Sequence, residues 1–259
     1  MTPRHADLAD ATHPTDAVAV VPRWQRAVLK ISGEAFASSA SDETIDAPTV
    51  GRIAKEIAET TDELGVELAV VIGGGNIWRG QEGARGGIDR ATSDTMGMLG
   101  TVINALALQD AIEQQGRPTR VLSAIHMAEV CEPYIRRRAI RHLEKGRVVI
   151  FAAGMGNPYF TTDTPAALRA AEIEAGVLLK GTHSGVDGVY SADPRLEPAA
   201  IRYNEVSFMD VIARDLRVMD LTAITFCKDN NLPILVFDLM TEGNIRGALA
   251  GAQIGTLIR

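Results

Sequence analysis

From residue 25 onwards, short apolar runs alternate with longer stretches whose apolar positions recur every three or four residues. Ala27 to Ile31, Leu68 to Ile72, Arg120 to Leu122, Val148 to Phe151, Val177 to Leu179, Ile234 to Phe237 and Thr256 to Ile258 are of strand length and rich in Val, Ile and Leu. This pattern predicts buried strands. Between the first two, Asp46 can cap a helix with Pro48 in its first turn, and Val50, Ile53, Ala54, Ile57 and Leu64 keep the spacing of one buried face. Thr95 to about Gln114 predicts a long helix that is apolar almost all round, buried in the core or under a partner subunit. Pro133 to Lys145, Pro165 to Glu174, Val206 to Asp215, Leu221 to Asn230 and Asn244 to Ala250 complete the predicted helices. Alternation of this kind predicts an α/β fold, a three-layer αβα sandwich with a mostly parallel central sheet. No internal repeat and no Pro- or Gly-rich linker divides residues 25–259, which read as one domain. Residues 1–24 mix Pro, Thr, Asp, His and Ala without a period and read as a disordered tail.

Composition acts mainly by exclusion. A net charge of −7 argues against general nucleic-acid binding, yet leaves room for a small anionic ligand held by a few local cations and backbone N–H groups. The apolar runs are too short to span a membrane, and the N-terminus lacks a basic start followed by an apolar stretch. The two cysteines, Cys131 and Cys227, lie far apart and read as buried free thiols. The five histidines show no spacing that suits a zinc site. A cytoplasmic protein is the expectation.

Candidate chemistry gathers in the loops that follow strands. Between the strand ending at Phe151 and the helix at Pro165, the segment Ala153 to Asp163 is rich in Gly, Asn and Thr. Thr164 and Pro165 read there as helix N-cap and first helical residue. An open α/β sheet places its ligand at such a loop, where glycines admit close backbone approach and hydroxyls and helix amides suit a phosphate. Gly73, Gly74, Gly75 and Asn76 follow another strand, with Arg79 offering a planar donor fork. This is neither a Walker A loop nor a dinucleotide fingerprint. Lys30 ends an apolar strand just before Ser32 and Gly33, where it either reaches phosphate oxygens or snorkels to solvent. Asp94 reads as a helix cap or as an acceptor for sugar hydroxyls. In the segment Gly185 to Pro194, Tyr190 and Asp193 read as a turn or as contacts to a base and a ribose. Arg136, Arg137, Arg138, Arg141 and Lys145 read as a solvated helix face. Met96, Met98, Met127 and Met219 read as core or interface residues.

These segments, in this order, resemble the amino acid kinase superfamily, and within it the bacterial uridylate kinase branch. The matching pieces are Leu29-Lys30-Ile31-Ser32-Gly33-Glu34, Val71 to Gly80, Asp94 to Leu99, Gly156 to Asp163, Val186 to Pro194 and Val218 to Leu221. The resemblance covers residue 25 to the C-terminus. It implies reversible transfer of the ATP γ-phosphoryl group to UMP, in the synthesis of pyrimidine nucleotides. By the same resemblance, Lys30, Ile31, Ser32, Gly33, Gly75, Arg79, Tyr190 and Asp193 contact ATP. A further ATP contact in the unusually long segment 181–185 falls to Thr182 or Ser184. Gly74, Asp94, Met155, Gly156, Asn157, Pro158, Tyr159, Phe160, Thr161 and Thr162 contact UMP. Lys30 and Arg79 are the implied catalytic cations. Asp163 is a lysine-orienting carboxylate, unless it only caps the helix. The resemblance further implies Mg²⁺ held mainly by ATP oxygens rather than by protein, a homohexamer, inhibition by UTP, and no nucleic-acid or membrane partner. One departure stands out. Where many members carry a glycine-containing segment associated with GTP activation, this chain has Ala40-Ser41-Asp42-Glu43-Thr44, and its adjacent acids would repel a triphosphate. The alternatives are a kinase of an amino acid carboxylate or carbamate, and a non-catalytic binding protein on the same fold.

Overall fold

The computed structural model describes residues 21–37, 43–183 and 185–259. Most of the expected tail, Ser184 and part of the acidic 40–45 segment therefore lie outside the described residues. The tail reading overshoots at its end, because Arg23 donates its backbone N–H to the Leu249 carbonyl at 3.0 Å and Trp24 packs against the core.

Among the described residues nine strands form one sheet: β1 Arg26–Ile31, β2 Glu67–Ile72, β3 Thr119–Ser123, β4 Glu132–Pro133, β5 Val148–Ala152, β6 Val177–Thr182, β7 Glu205–Val206, β8 Ile234–Asp238 and β9 Thr256–Ile258. Their order is β4-β3-β5-β2-β1-β6-β8-β9-β7, and of these neighbours β8 and β9 pair antiparallel while the others pair parallel. Helices α1 Ala47–Leu64, α3 Arg90–Gln114 and α8 Asn244–Ala250 cover one face. Helices α4 Arg136–Glu144, α5 Asp163–Glu172, α6 Phe208–Ala213 and α7 Leu221–Asp229 cover the other. The short helix α2 Gly80–Arg85 buries none of its residues and lies against α3. Helices on both faces leave the central strands no wet side, which is why β1, β2 and β5 are apolar throughout except at Lys30 and the strand starts. Side chains alternate between the layers. Ala27, Leu29 and Ile31 join the α1/α3/α8 core, and Val28 joins the core beneath α5. Lys30 shares the parity of Val28.

Several boundaries differ from the sequence expectation. Helix α3 starts at Arg90, capped by Asp89, whose carboxylate accepts from the Thr92 N–H at 3.0 Å. Asp94 is therefore inside the helix and is not its cap. Helix α5 starts at Asp163, which puts Thr164 and Pro165 in its first turn and Thr162 at the cap position. The edge strand β4 takes Glu132 and Pro133, so the following helix begins only at Arg136. The edge strand β7 takes Val206 through pairing with β9, which shortens α6. Edge strands of two residues and the six-residue α2 carry too little periodicity to be read from sequence.

Because β1, β2, β5 and β6 run parallel, the loops after them emerge at one edge of the sheet. Strands that precede β6 in the chain lie on one side of the β1–β6 pair, and those from β6 onwards on the other. This reversal is where an open α/β sheet opens a ligand crevice.

Candidate active site

Lys30 and Lys180 are register partners on β1 and β6. Both point to the α5 face, where Asp163 occupies the first turn of α5. The Lys30 ammonium lies 2.8 Å and the Lys180 ammonium 2.6 Å from the same Asp163 Oδ1. The cluster is nearly closed to solvent, with Lys30 6% and Asp163 8% exposed. Burial alone would raise the Asp163 pKa, but the two ammonium charges outweigh it and hold the carboxyl at about 2. Burial and the charge of Lys30 push Lys180 down to about 8. Burial also acts to lower the Lys30 pKa, but Asp163 outweighs it and the net direction is up. Two cations facing one anion leave a net positive charge at the sheet edge, a local field that a polyanion would neutralise.

The turns beyond the strands press together above this cluster. A Cβ on Gly33 would come within 2.7 Å of the Gly73 carbonyl and 2.8 Å of the Gly75 nitrogen. One on Gly74 would meet the Gly97 carbonyl at 2.6 Å in α3. Neither position admits a side chain. Buried Asn104 of α3 fixes the triplet by donating to the Gly73 carbonyl and to Asn76 Oδ1, each at 2.7 Å. Gly73 also donates its N–H to the Ile31 carbonyl at 2.9 Å, and a Cβ there would lie 3.5 Å from Thr162 Oγ1.

A cavity of about 440 Å³ opens over these turns. Ser32, Gly33, Gly74, Gly75, Arg79 and Asp94 line it from one side, and Met155, Asn157, Tyr159, Phe160, Thr161 and Thr162 from the other. Asp94 accepts from Arg90 Nε at 2.8 Å and from the Tyr159 N–H at 2.9 Å. Tyr159 adopts a left-handed backbone (φ 73°), and the Arg90 guanidinium lies 5.6 Å from its ring centre. Thr161 donates its hydroxyl to Asp220 at the start of α7.

Other candidates fall elsewhere. Tyr190 and Asp193 line a second cavity of about 460 Å³, walled on its far side by residues 214–218. Lys30, Ile31, Gly156, Pro158 and Asp163 line neither cavity. The Ile31 side chain is in the core, so only its backbone is available to a ligand. Gly156 packs on the Ala124 carbonyl. Thr182 directs its hydroxyl at the Val186 and Phe237 carbonyls, 2.5 and 3.1 Å away. Its alternative, Ser184, lies outside the described residues. The basic helix face is largely paired, Arg136 with Glu174, Arg138 with Glu132 and Arg141 with Glu144.

Sequence reasoning missed Lys180, Glu34, Arg90 and Asp220. Lys180 had a signal. Leu178-Leu179-Lys180-Gly181 ends an apolar strand in a lysine just before a glycine, the same feature that singled out Lys30. The other three depend on pairing between distant segments.

A mostly parallel sheet between two helix layers, with a cationic, glycine-bounded crevice at its strand ends, defines the class. Residues 25–238 match the amino acid kinase family, and the chain belongs to that family. Among solved structures, a UMP kinase from Bacillus anthracis is 39% identical, covering 91% of this chain and 96% of its own, with a TM-score of 0.87. A UMP kinase from Ureaplasma parvum is 38% identical over 91% of this chain and 99% of its own, with a TM-score of 0.85. A uridylate kinase from Archaeoglobus fulgidus is 27% identical over 90% of this chain and 99% of its own, at 0.68. Among the described residues no helix is long and apolar enough to cross a membrane.

Proposed function

We infer that this protein is a UMP kinase, which transfers the γ-phosphoryl group of ATP to UMP and gives ADP and UDP in de novo pyrimidine nucleotide biosynthesis. The observation that carries the reading is the Lys30–Asp163–Lys180 cluster at the strand ends, with one cavity lined by the turns after β1, β2 and β5 and a second lined by the segment after β6. The phosphate of UMP is already ionised, so the reaction needs no strong general base. It needs two anions held close together and the charge of the transferring group neutralised. Lys30 and Lys180 supply fixed positive charge in a site largely closed to water, and Asp163 orients both.

In this reading Ser32, Gly33, Gly75 and Arg79 face the ATP phosphates, and Tyr190 and Asp193 hold the adenosine. Gly74 and residues 155–162 enclose UMP, and Asp94 accepts from its ribose hydroxyls. Among the described residues no group of three or more His, Cys, Asp or Glu side chains could hold a metal ion, and Asp163 is occupied by its lysines. That donor set fits Mg²⁺ that enters on the phosphate oxygens of ATP, where it would supply further charge neutralisation. UTP, sharing the uridine and carrying more phosphate, would inhibit at the UMP cavity. The protein acts in the cytoplasm as a homohexamer, with no nucleic-acid or membrane partner.

The test is an ADP-release assay with Mg-ATP, offering UMP, CMP, dUMP, glutamate and acetylglutamate as separate acceptors. Turnover confined to UMP is expected. Turnover with glutamate or acetylglutamate and none with UMP would replace the reading with an amino acid kinase.

A further inference from the structure

Glu34 follows the Ser32-Gly33 turn, and its carboxylate gathers one donor from that turn and two from distant segments. One oxygen accepts from the Arg79 guanidinium. The other lies 3.1 Å from His183 Nε2 and accepts from Ser32 Oγ at 3.3 Å. His183 stands just past the end of β6, on the segment that leads from the lysine cluster to the second cavity. Glu34, Ser32 and Arg79 all line the main cavity. Three donors around the glycine turns are thus directed at a carboxylate where, in the proposed reaction, nucleotide phosphates would lie. Carboxylate and phosphate oxygens are the same kind of acceptor, and a polyphosphate brings more charge and more oxygens.

We propose that His183 is a phosphate-binding residue of the ATP site and that Glu34 is its internal placeholder, so that nucleotide phosphates take over His183 and Arg79 from Glu34 and His183 gains a proton as they bind. The inference rests on the ATP-site reading of Ser32, Gly33 and Arg79. It extends that reading to a side chain that neither the residue pattern nor the family resemblance singled out.

The surroundings of His183 set the direction of the proton linkage. The charged groups facing it are Glu34 from the 3₁₀ turn, Lys30 from β1, Lys180 from β6 and Arg79 from the loop before α2. Burial lowers its pKa most; Glu34 acts upwards, and the three cations act downwards. The net shift is below the ordinary 6.5, so the ring is mainly neutral near neutral pH. Bound phosphates would offset the three cations and give the imidazolium a stronger partner than one carboxylate.

The experiment is calorimetric titration of ADP into wild type, His183→Gln and Glu34→Gln, between about pH 6 and 8, in buffers of different ionisation heat. Wild type is expected to bind ADP more tightly as pH falls, and to take up more protons on binding than His183→Gln. Protons gained by ADP itself are common to both and cancel in the comparison. Glu34→Gln removes the competing charge and should bind ADP about two- to fivefold more tightly at neutral pH, the worth of a half-exposed ion pair. This arm stands even if His183→Gln folds poorly. Equal proton uptake by wild type and His183→Gln, or weaker binding by Glu34→Gln, would overturn the role of His183 and Glu34 while leaving the ATP site in place. No binding of ADP to wild type, in a preparation that binds UMP, would overturn the ATP-site reading and this inference with it.

Discussion

Asp163 is a short side chain with two ammonium partners, and removing its charge leaves both without compensation. Asp163→Asn is expected to lower stability at neutral pH by about 3–5 kcal/mol, the usual cost of breaking a buried ion pair from one side. The pH dependence has a definite sign. The folded carboxyl sits at about 2 against an ordinary 3.8, so its stabilisation is complete above about pH 4 and is lost as pH falls through about 2. The part lost is roughly 2 kcal/mol. Urea unfolding of wild type and Asp163→Asn from pH 7 down to about pH 2 checks both statements, since the gap between them should narrow only at the acid end. Lys30 serves chemistry more than binding in this reading. Lys30→Ala should lower kcat by about 10²–10³, the effect of losing one charge-stabilising donor, with little change in UMP affinity. A large loss of UMP affinity with kcat intact would remove Lys30 from that role. The residue signals here were partly legible, since a lysine in an apolar strand is anomalous wherever it occurs. The partner was less so. Asp163 was open to a bland capping role until the fold brought α5 beneath β1 and β6.

Helix α3 shows what an element adds to a residue. Its start at Arg90, fixed by the Asp89 cap, places Asp94 one turn into the helix rather than at its end. There the carboxylate reaches across to the Tyr159 N–H of a loop 65 residues away. An acid on a rigid helix that holds the opposite wall of the cavity is well placed to read a sugar. Asp94→Ala is therefore expected to raise the KM for UMP more than the KM for ATP, measured by steady-state kinetics with each substrate varied in turn. The reverse pattern would show that the two nucleotide sites have been exchanged. The core helices were readable because each buries a stripe of apolar residues against the sheet. The short pieces β4, β7 and α2 were not, because pairing at an edge or contact with one helix decides them rather than any local period.

At the scale of the molecule, loops beyond the strand ends line two cavities, and α3 leaves an apolar stripe on the outside. Met96, Leu99 and Ile103 are spaced at helical intervals and are 36%, 46% and 50% exposed. A stripe of that kind is costly in water and fits a subunit contact in the proposed homohexamer. Leu99→Glu is expected to lower the sedimenting mass while leaving the circular dichroism spectrum of the subunit unchanged. An unaltered mass would move the contact to another face.

The sequence by itself determined the layers and the edge of the sheet at which the candidate loops gather. Strand and helix periods are local properties of burial, and parallel strands joined by helices leave their C-terminal loops on one side. It also marked Lys30, the glycine triplet, Asp94 and the loop 153–163 as chemically unusual. Only the tertiary structure decided that Lys180 shares Asp163 with Lys30, that Asp94 holds Tyr159, that Tyr190 and Asp193 face a cavity of their own, and that Glu34 joins Arg79 to His183. Each of these depends on segments that only the fold brings together, and its geometry is set by strand register and helix packing rather than by immediate neighbours in sequence.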